Sequence, residues 1–155
     1  MWIIFLIFFI QGFANECLFT PPPGWEMAKL KNPSPYLKLG FLGKGEKEFR
    51  PSINLSIEEG VGVSLKEYVK AVKEIQKEDP TARLRDLGPF KVKSGSGRLL
   101  EIASTSPWGE IRMLQLLFVE GGKAYILTAA ALKGDFVKIQ SDILQSFQSL
   151  SIVEK

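Results

Sequence analysis

The chain has 155 residues, 45% of them hydrophobic and 24% charged, with a net charge of +3, one cysteine and no histidine. The absent histidine excludes Ser-His-Asp and Cys-His catalysis, histidine general bases and histidine metal ligands, and a single cysteine excludes a Cys-rich zinc site. The small basic excess is interleaved with acids, which argues against a nucleic-acid interface and leaves weak attraction to anionic surfaces at most.

Residues 2–10 form an unbroken apolar run, and no charged side chain precedes Glu16. Spanning a bilayer takes about 20 apolar residues. This run is shorter and matches the apolar region of a secretory signal, although the usual basic flank is missing. Gly12-Phe13-Ala14 supplies the small side chains that a signal peptidase needs, with cleavage before Asn15. Residues 1–14 are therefore expected to be a signal peptide, and the chain to be exported, periplasmic or secreted. Cys17 cannot form an internal disulfide. It is a candidate for lipidation or for an intermolecular disulfide, and the plainer reading is a free thiol near a flexible terminus. Glu16, directly before it, departs from the small residue that lipoprotein signals carry. Membrane association thus has two routes, through Cys17 or through an uncleaved N-terminal segment.

Thr20-Pro21-Pro22-Pro23-Gly24 reads as a stiff, extended connector over residues 15–24, because proline fixes φ and favours polyproline II. Residues 25–30 alternate as a short strand, with Trp25 as the first core residue. A turn at 31–35 leads to a strand at 36–42, and a polar loop at 43–47 to a strand at 51–58. In the latter Ile53, Leu55 and Ile57 alternate with Ser52, Asn54 and Ser56, the mark of a half-buried strand.

Ser64-Leu65-Lys66-Glu67 is a capping box that opens a helix. Leu65, Tyr68, Val69, Val72 and Ile75 form its apolar stripe, and Pro80 ends it. Its outer face carries Lys66, Lys70, Lys73 and Lys77 with Glu67, Glu74 and Glu78, a stripe that could dock an anionic partner and that the plainer reading takes as a solvated face. The second half is β-rich: one or two strands over 83–92 around Gly88-Pro89, a strand at 97–104, a turn at Ser106-Pro107-Trp108-Gly109, and strands at 110–120 and 123–131. Gly121-Gly122 joins the last two in a turn of the primed type. Those strands are apolar on both faces, as for central strands covered on each side. Asp135 is the expected N-cap of a final helix with Phe136, Ile139, Ile143, Phe147 and Leu150 on one stripe. Ser151-Ile152-Val153 adds a short closing strand.

Gly122-Lys123-Ala124-Tyr125-Ile126-Leu127-Thr128-Ala129, then a polar gap and Phe136 through Ser146-Phe147, resembles the ending of the PsbP-like superfamily. Trp25 and Pro51-Ser52-Ile53-Asn54-Leu55 fit its first half. The resemblance covers roughly residues 25–153 in the order of elements. It implies one α+β domain over residues 25–155, an antiparallel β-sheet sandwiched between helices. It implies no enzyme activity, and function does not transfer with the fold. The export signal favours the exported bacterial branch.

Trp108, beside Pro107 in a tight turn, is the first candidate contact residue, because exposed tryptophans anchor partner surfaces. The alternative is a lid folded over the sheet edge. Gly95-Ser96-Gly97, flanked by Lys91, Lys93 and Arg98, is a candidate oxyanion cradle without P-loop spacing, and a flexible hairpin loop is the plainer reading. Glu58-Glu59 and Glu78-Asp79 lie at element ends. The expectation is a non-enzymatic exported binding or scaffold module with a protein partner at the envelope. It has no cofactor, no metal site and no catalytic residue, and its candidate contacts are Trp108, Pro107, Lys93 and Arg98. The alternatives are a carrier of a lipid or amphiphile and a weak hydrolase that works without histidine.

Overall fold

The computed structural model of the chain describes residues 15–30, 35–45 and 48–154. The apolar run, residues 31–34 of the first turn and Glu46-Lys47 of the polar loop lie outside them. The elements run β1 (Asn15–Leu18), β2 (Glu26–Met27), β3 (Leu37–Leu42), β4 (Ser52–Glu58), α1 (Leu65–Gln76), β5 (Arg83–Val92), β6 (Gly95–Ser106), β7 (Gly109–Glu120), β8 (Lys123–Leu132), α2 (Lys133–Gln148) and β9 (Ser151–Glu154).

Seven strands form one antiparallel sheet in the order β2-β3-β4-β8-β7-β6-β5. The alternation in β4 buries Ile53, Leu55 and Ile57 to 3% exposure or less. The central strands β7 and β8 are apolar on both faces because a helix covers each one. Leu114, Leu116 and Phe118 of β7 and Tyr125, Leu127 and Ala129 of β8 pack with Phe136, Ile143 and Phe147 of α2. On the opposite face, Leu100, Leu117 and Ile126 pack with Val69, Leu65 and Val72 of α1. Gly121 and Gly122 take φ of +58° and +76°, as a primed hairpin turn requires.

Several local expectations are corrected. The strand expected over residues 25–30 shrinks to two residues at the sheet edge, followed by one further bond from Ala28 N–H to the Gly40 carbonyl at 2.8 Å. Residues 83–92 are a single strand, whose irregularity between Asp86 and Gly88 absorbs the Gly-Pro step. Gly95-Ser96-Gly97 is not a loop: the three residues pair with Val92, Lys91 and Phe90, and the turn is Lys93-Ser94. Packing explains Gly97, because a Cβ there would lie 2.6 Å from the Leu117 carbonyl oxygen. Asp135 does not cap α2. The helix starts at Lys133 with Leu132 at the cap position, and Asp135 is buried in the first turn. Its carboxylate still faces the favourable end of the helix dipole.

The termini also differ. β9 pairs with β1, Cys17 opposite Ile152, rather than joining the main sheet. The segment read as a connector is docked on the end of α2. Thr20 N–H donates to Ser149 Oγ at 2.8 Å, and Ser146 Oγ donates to the Thr20 carbonyl at 2.6 Å. Pairing and capping of backbone groups hold this segment where polyproline stiffness alone would leave it free.

Candidate functional site

The β6–β7 turn projects from one end of the sheet. Ser106 Oγ accepts from Trp108 N–H at 3.2 Å and donates to the Gly109 carbonyl at 2.8 Å, and Gly109 takes φ of +122°. These bonds fix the turn, so the indole is presented from a defined backbone. Trp108 is 49% exposed, and its other half rests on Phe49 of the β3–β4 loop, ring centroids 5.8 Å apart. It is thus neither a closed lid nor a free side chain: the indole leans on Phe49 with the two rings tilted by 41°, and about half of it is open to solvent.

Charges surround this turn. Glu110 receives Arg83 at 3.1 Å, Lys133 at 3.3 Å and Arg112 at 3.5 Å. Burial pushes the Glu110 carboxyl up, but Lys133, Arg112 and Arg83 outweigh it and hold the group below its usual range. Glu101, buried four pairs further along the β6–β7 ladder, joins Arg85 and Arg112, each at 3.3 Å. The aromatic patch therefore has a polar rim of neutralised charges.

Lys93 and Arg98 lie at the other end. β6 has 12 residues, so about 40 Å separates the Lys93-Ser94 turn from Trp108. The structure does not bring these candidates together with Trp108 and Pro107. Arg98 instead grips Asp86 through Nε at 2.8 Å and Nη2 at 2.9 Å, and Lys73 joins the same carboxylate. Arg98 in particular holds the Asp86 carboxyl well below the ordinary range, against the opposing effect of burial and with help from Lys73 and the Gly88 N–H. Asp86 and Phe49 had no signal in the sequence. Each gains its role from a partner at least twelve residues away, across a bulge in one case and between two loops in the other.

Cys17 corrects the expectation of a flexible thiol. It is 3% exposed within the core, and burial pushes the thiol up to about 12. A thioether or disulfide at Cys17 requires β1 to leave its place. Among the described residues, no group of three His, Cys, Asp or Glu side chains is placed to hold a metal ion, and no helix is long and apolar enough to cross a membrane.

A large antiparallel sheet with one helix on each face is an α+β sandwich, and the chain has the PsbP-like fold. No protein-family model and no curated protein sequence matches it. Solved structures do. LpqN of Mycobacterium tuberculosis, involved in cell envelope biogenesis, superposes with a TM-score of 0.67 at 14% identity, over 95% of this chain and 90% of that one. The Ran-binding protein Mog1p of Saccharomyces cerevisiae gives 0.57 at 17%, over 86% of each chain. The PsbP (CyanoP) of Synechocystis sp. PCC 6803 gives 0.56 at 14%, over 96% of this chain and 94% of that one. At these identities the likeness is one of fold, and roles must be argued from sites.

Proposed function

We propose that the protein is a non-enzymatic binding module, exported and acting at or near an envelope membrane, with Trp108 as the anchor for a protein partner. The observation that carries this reading is the half-exposed indole, braced by Phe49 on a hydrogen-bonded turn and rimmed by paired charges. An aromatic anchor held rigid before contact loses little freedom on binding, and a polar rim around it is the usual plan of an interface. Pro107, exposed beside it, extends the apolar surface. The fold accommodates binding roles, as the yeast Ran-binding protein illustrates. Export rests on the apolar run and the Gly12-Phe13-Ala14 site. The carrier alternative has less support, since Ile143 and Phe147 of α2 and Leu116 and Leu127 of the sheet, all 0% exposed, fill the α2 side, and the cleft on the α1 side is lined by charged groups, among them Lys66, Glu67, Lys70 and Arg98.

The test is site-specific photo-crosslinking in cells that express the full chain. A photoreactive residue at Pro107 should give one discrete protein adduct. The same probe at Val137, 73% exposed on α2, should not, and Trp108→Ala should abolish the Pro107 adduct. Equal adducts from both positions, or an adduct that survives Trp108→Ala, would overturn the assignment. Intact-mass measurement of the native protein checks export, with a chain starting at Asn15 as the expected result.

A further inference from the structure

The α1 side of the β5–β6 hairpin carries a second feature that the aromatic patch does not use. A cleft of about 810 Å³ opens between α1 and the two strands, and its lining includes Lys66, Lys70, Lys73, Arg98, Ser64 and Ser96. Helical spacing places Lys66, Lys70 and Lys73 along one side of α1. Opposite them, the β5–β6 register pairs Pro89 with Arg98 and Lys91 with Ser96, which puts Lys91 on the same face as the cleft floor. Residues 87–100 contain no acid at all.

Only part of this charge is neutralised. The lining holds two carboxylates, Glu67 and Asp86. Asp86 is saturated: it takes two bonds from Arg98, one from Lys73 and one from the Gly88 N–H at 2.9 Å. Those bonds lock the guanidinium in place and leave its Nη1 without a partner among the described residues. The side chains of Lys66, Lys70, Lys91 and Lys93 likewise have no ion pair among the described residues. Fixed donors in a cleft, with exposed lysines around them and serine hydroxyls at hand, match a phosphate group. The guanidinium gives direction and the ammonium groups give charge.

The hairpin end of the cleft is tied to the chain termini. Ser94, in the hairpin turn, holds Ile152 of β9: its Oγ accepts from Ile152 N–H at 2.6 Å, and Lys93 N–H donates to the Gln148 carbonyl at 3.1 Å. β9 pairs with β1, the first strand of the described residues, which begins at Asn15. The cationic end of the sheet is therefore the end at which the chain enters the domain. We propose that the cleft between α1 and the β5–β6 hairpin binds a phosphate group, carried by an anionic lipid headgroup or by a small soluble phosphate ester. It does so independently of the Trp108 surface.

The test compares the full chain with the double variant Lys66→Glu and Lys70→Glu, and with Lys29→Glu and Lys44→Glu as a control of equal charge change outside the cleft. The probes are phosphatidylcholine vesicles with and without phosphatidylglycerol, and soluble glycerol 3-phosphate. Phosphatidylcholine vesicles without phosphatidylglycerol give the binding that does not depend on an anionic lipid. Binding that needs phosphatidylglycerol, and that falls at least about 25-fold in the cleft variant at about fivefold per cation lost, identifies a lipid phosphate. Saturable glycerol 3-phosphate binding lost in the cleft variant identifies a soluble ester. Absence of both, or an equal loss in the control variant, overturns the proposal. Circular dichroism and the Tm of each variant separate loss of the site from loss of the fold.

Discussion

Trp108→Ala distinguishes an anchor from a core residue, and the structure sets the size of the effect. Burying a whole tryptophan hides about 200 Å². Trp108 is 49% exposed, so its truncation forfeits about 100 Å² of burial against Phe49 and the turn. At 25 cal/mol per Å² that is about 2.5 kcal/mol, and a compact unfolded state lowers it to about 2 kcal/mol. In a domain of this size the loss corresponds to a fall in Tm of about 8 °C. Phe147, 0% exposed in the core between α2 and the sheet, is the comparison, and Phe147→Ala should cost about 3–5 kcal/mol. Urea denaturation of both variants, with unchanged m-values, gives the two numbers. Binding should move the opposite way: loss of an anchor weakens partner affinity by about 30-fold or more, while Phe147→Ala at a temperature where it stays folded should not. A Trp108→Ala loss as large as that of Phe147→Ala, with partner capture intact, would make the indole a structural lid rather than an anchor.

Cys17 should resist thiol reagents in the native protein at pH 8 and react only as β1 opens, so labelling as fast as in denaturant would contradict its burial. Asp86 has a folded pKa below its unfolded value of about 3.9, so its contribution is complete above about pH 4 and lost as pH falls through the folded value. Asp86→Asn should therefore lower stability at pH 7 and flatten the acid limb below pH 4, and an unchanged acid limb in chemical denaturation would remove Asp86 from that account. Gly97→Ala should cost about 1–3 kcal/mol, since its Cβ would sit 2.6 Å from a backbone oxygen that no rotamer change can move. Gly134→Ala, with open space and ordinary φ in the first turn of α2, should instead gain about 0.5–1 kcal/mol, and equal effects of the two in thermal denaturation would contradict the packing argument.

Local chemistry in the chain already specified most elements of the sandwich. Alternation at Ile53, Leu55 and Ile57, the Ser64 cap, the paired glycines at 121 and 122, and the Phe136–Phe147 stripe each act over a few residues. All of them stand in the structure, with Ser64 Oγ accepting from Glu67 N–H at 3.3 Å. The double-sided burial of β7 and β8 could also be read directly, because a strand apolar on both faces needs a cover on each. What could not be read is whatever depends on register and on distant partners. Gly97 looks like loop punctuation until the Leu117 carbonyl stands against it. Asp135 looks like a cap until the helix begins two residues earlier.

The same division holds for function. The sequence by itself determined that histidine and multi-cysteine chemistry are impossible, that an apolar run precedes a folded α+β domain, and that Trp108 sits in a turn. Three-dimensional packing was needed to show that Phe49 braces that indole, and that Lys93 lies a full strand length away from it with Arg98 towards the same end. It also decided that Asp86 locks Arg98 into a cationic cleft and that Cys17 is buried in the core. Composition and periodicity act along the chain. Contact surfaces arise where strand register and helix packing bring together residues that no local pattern connects.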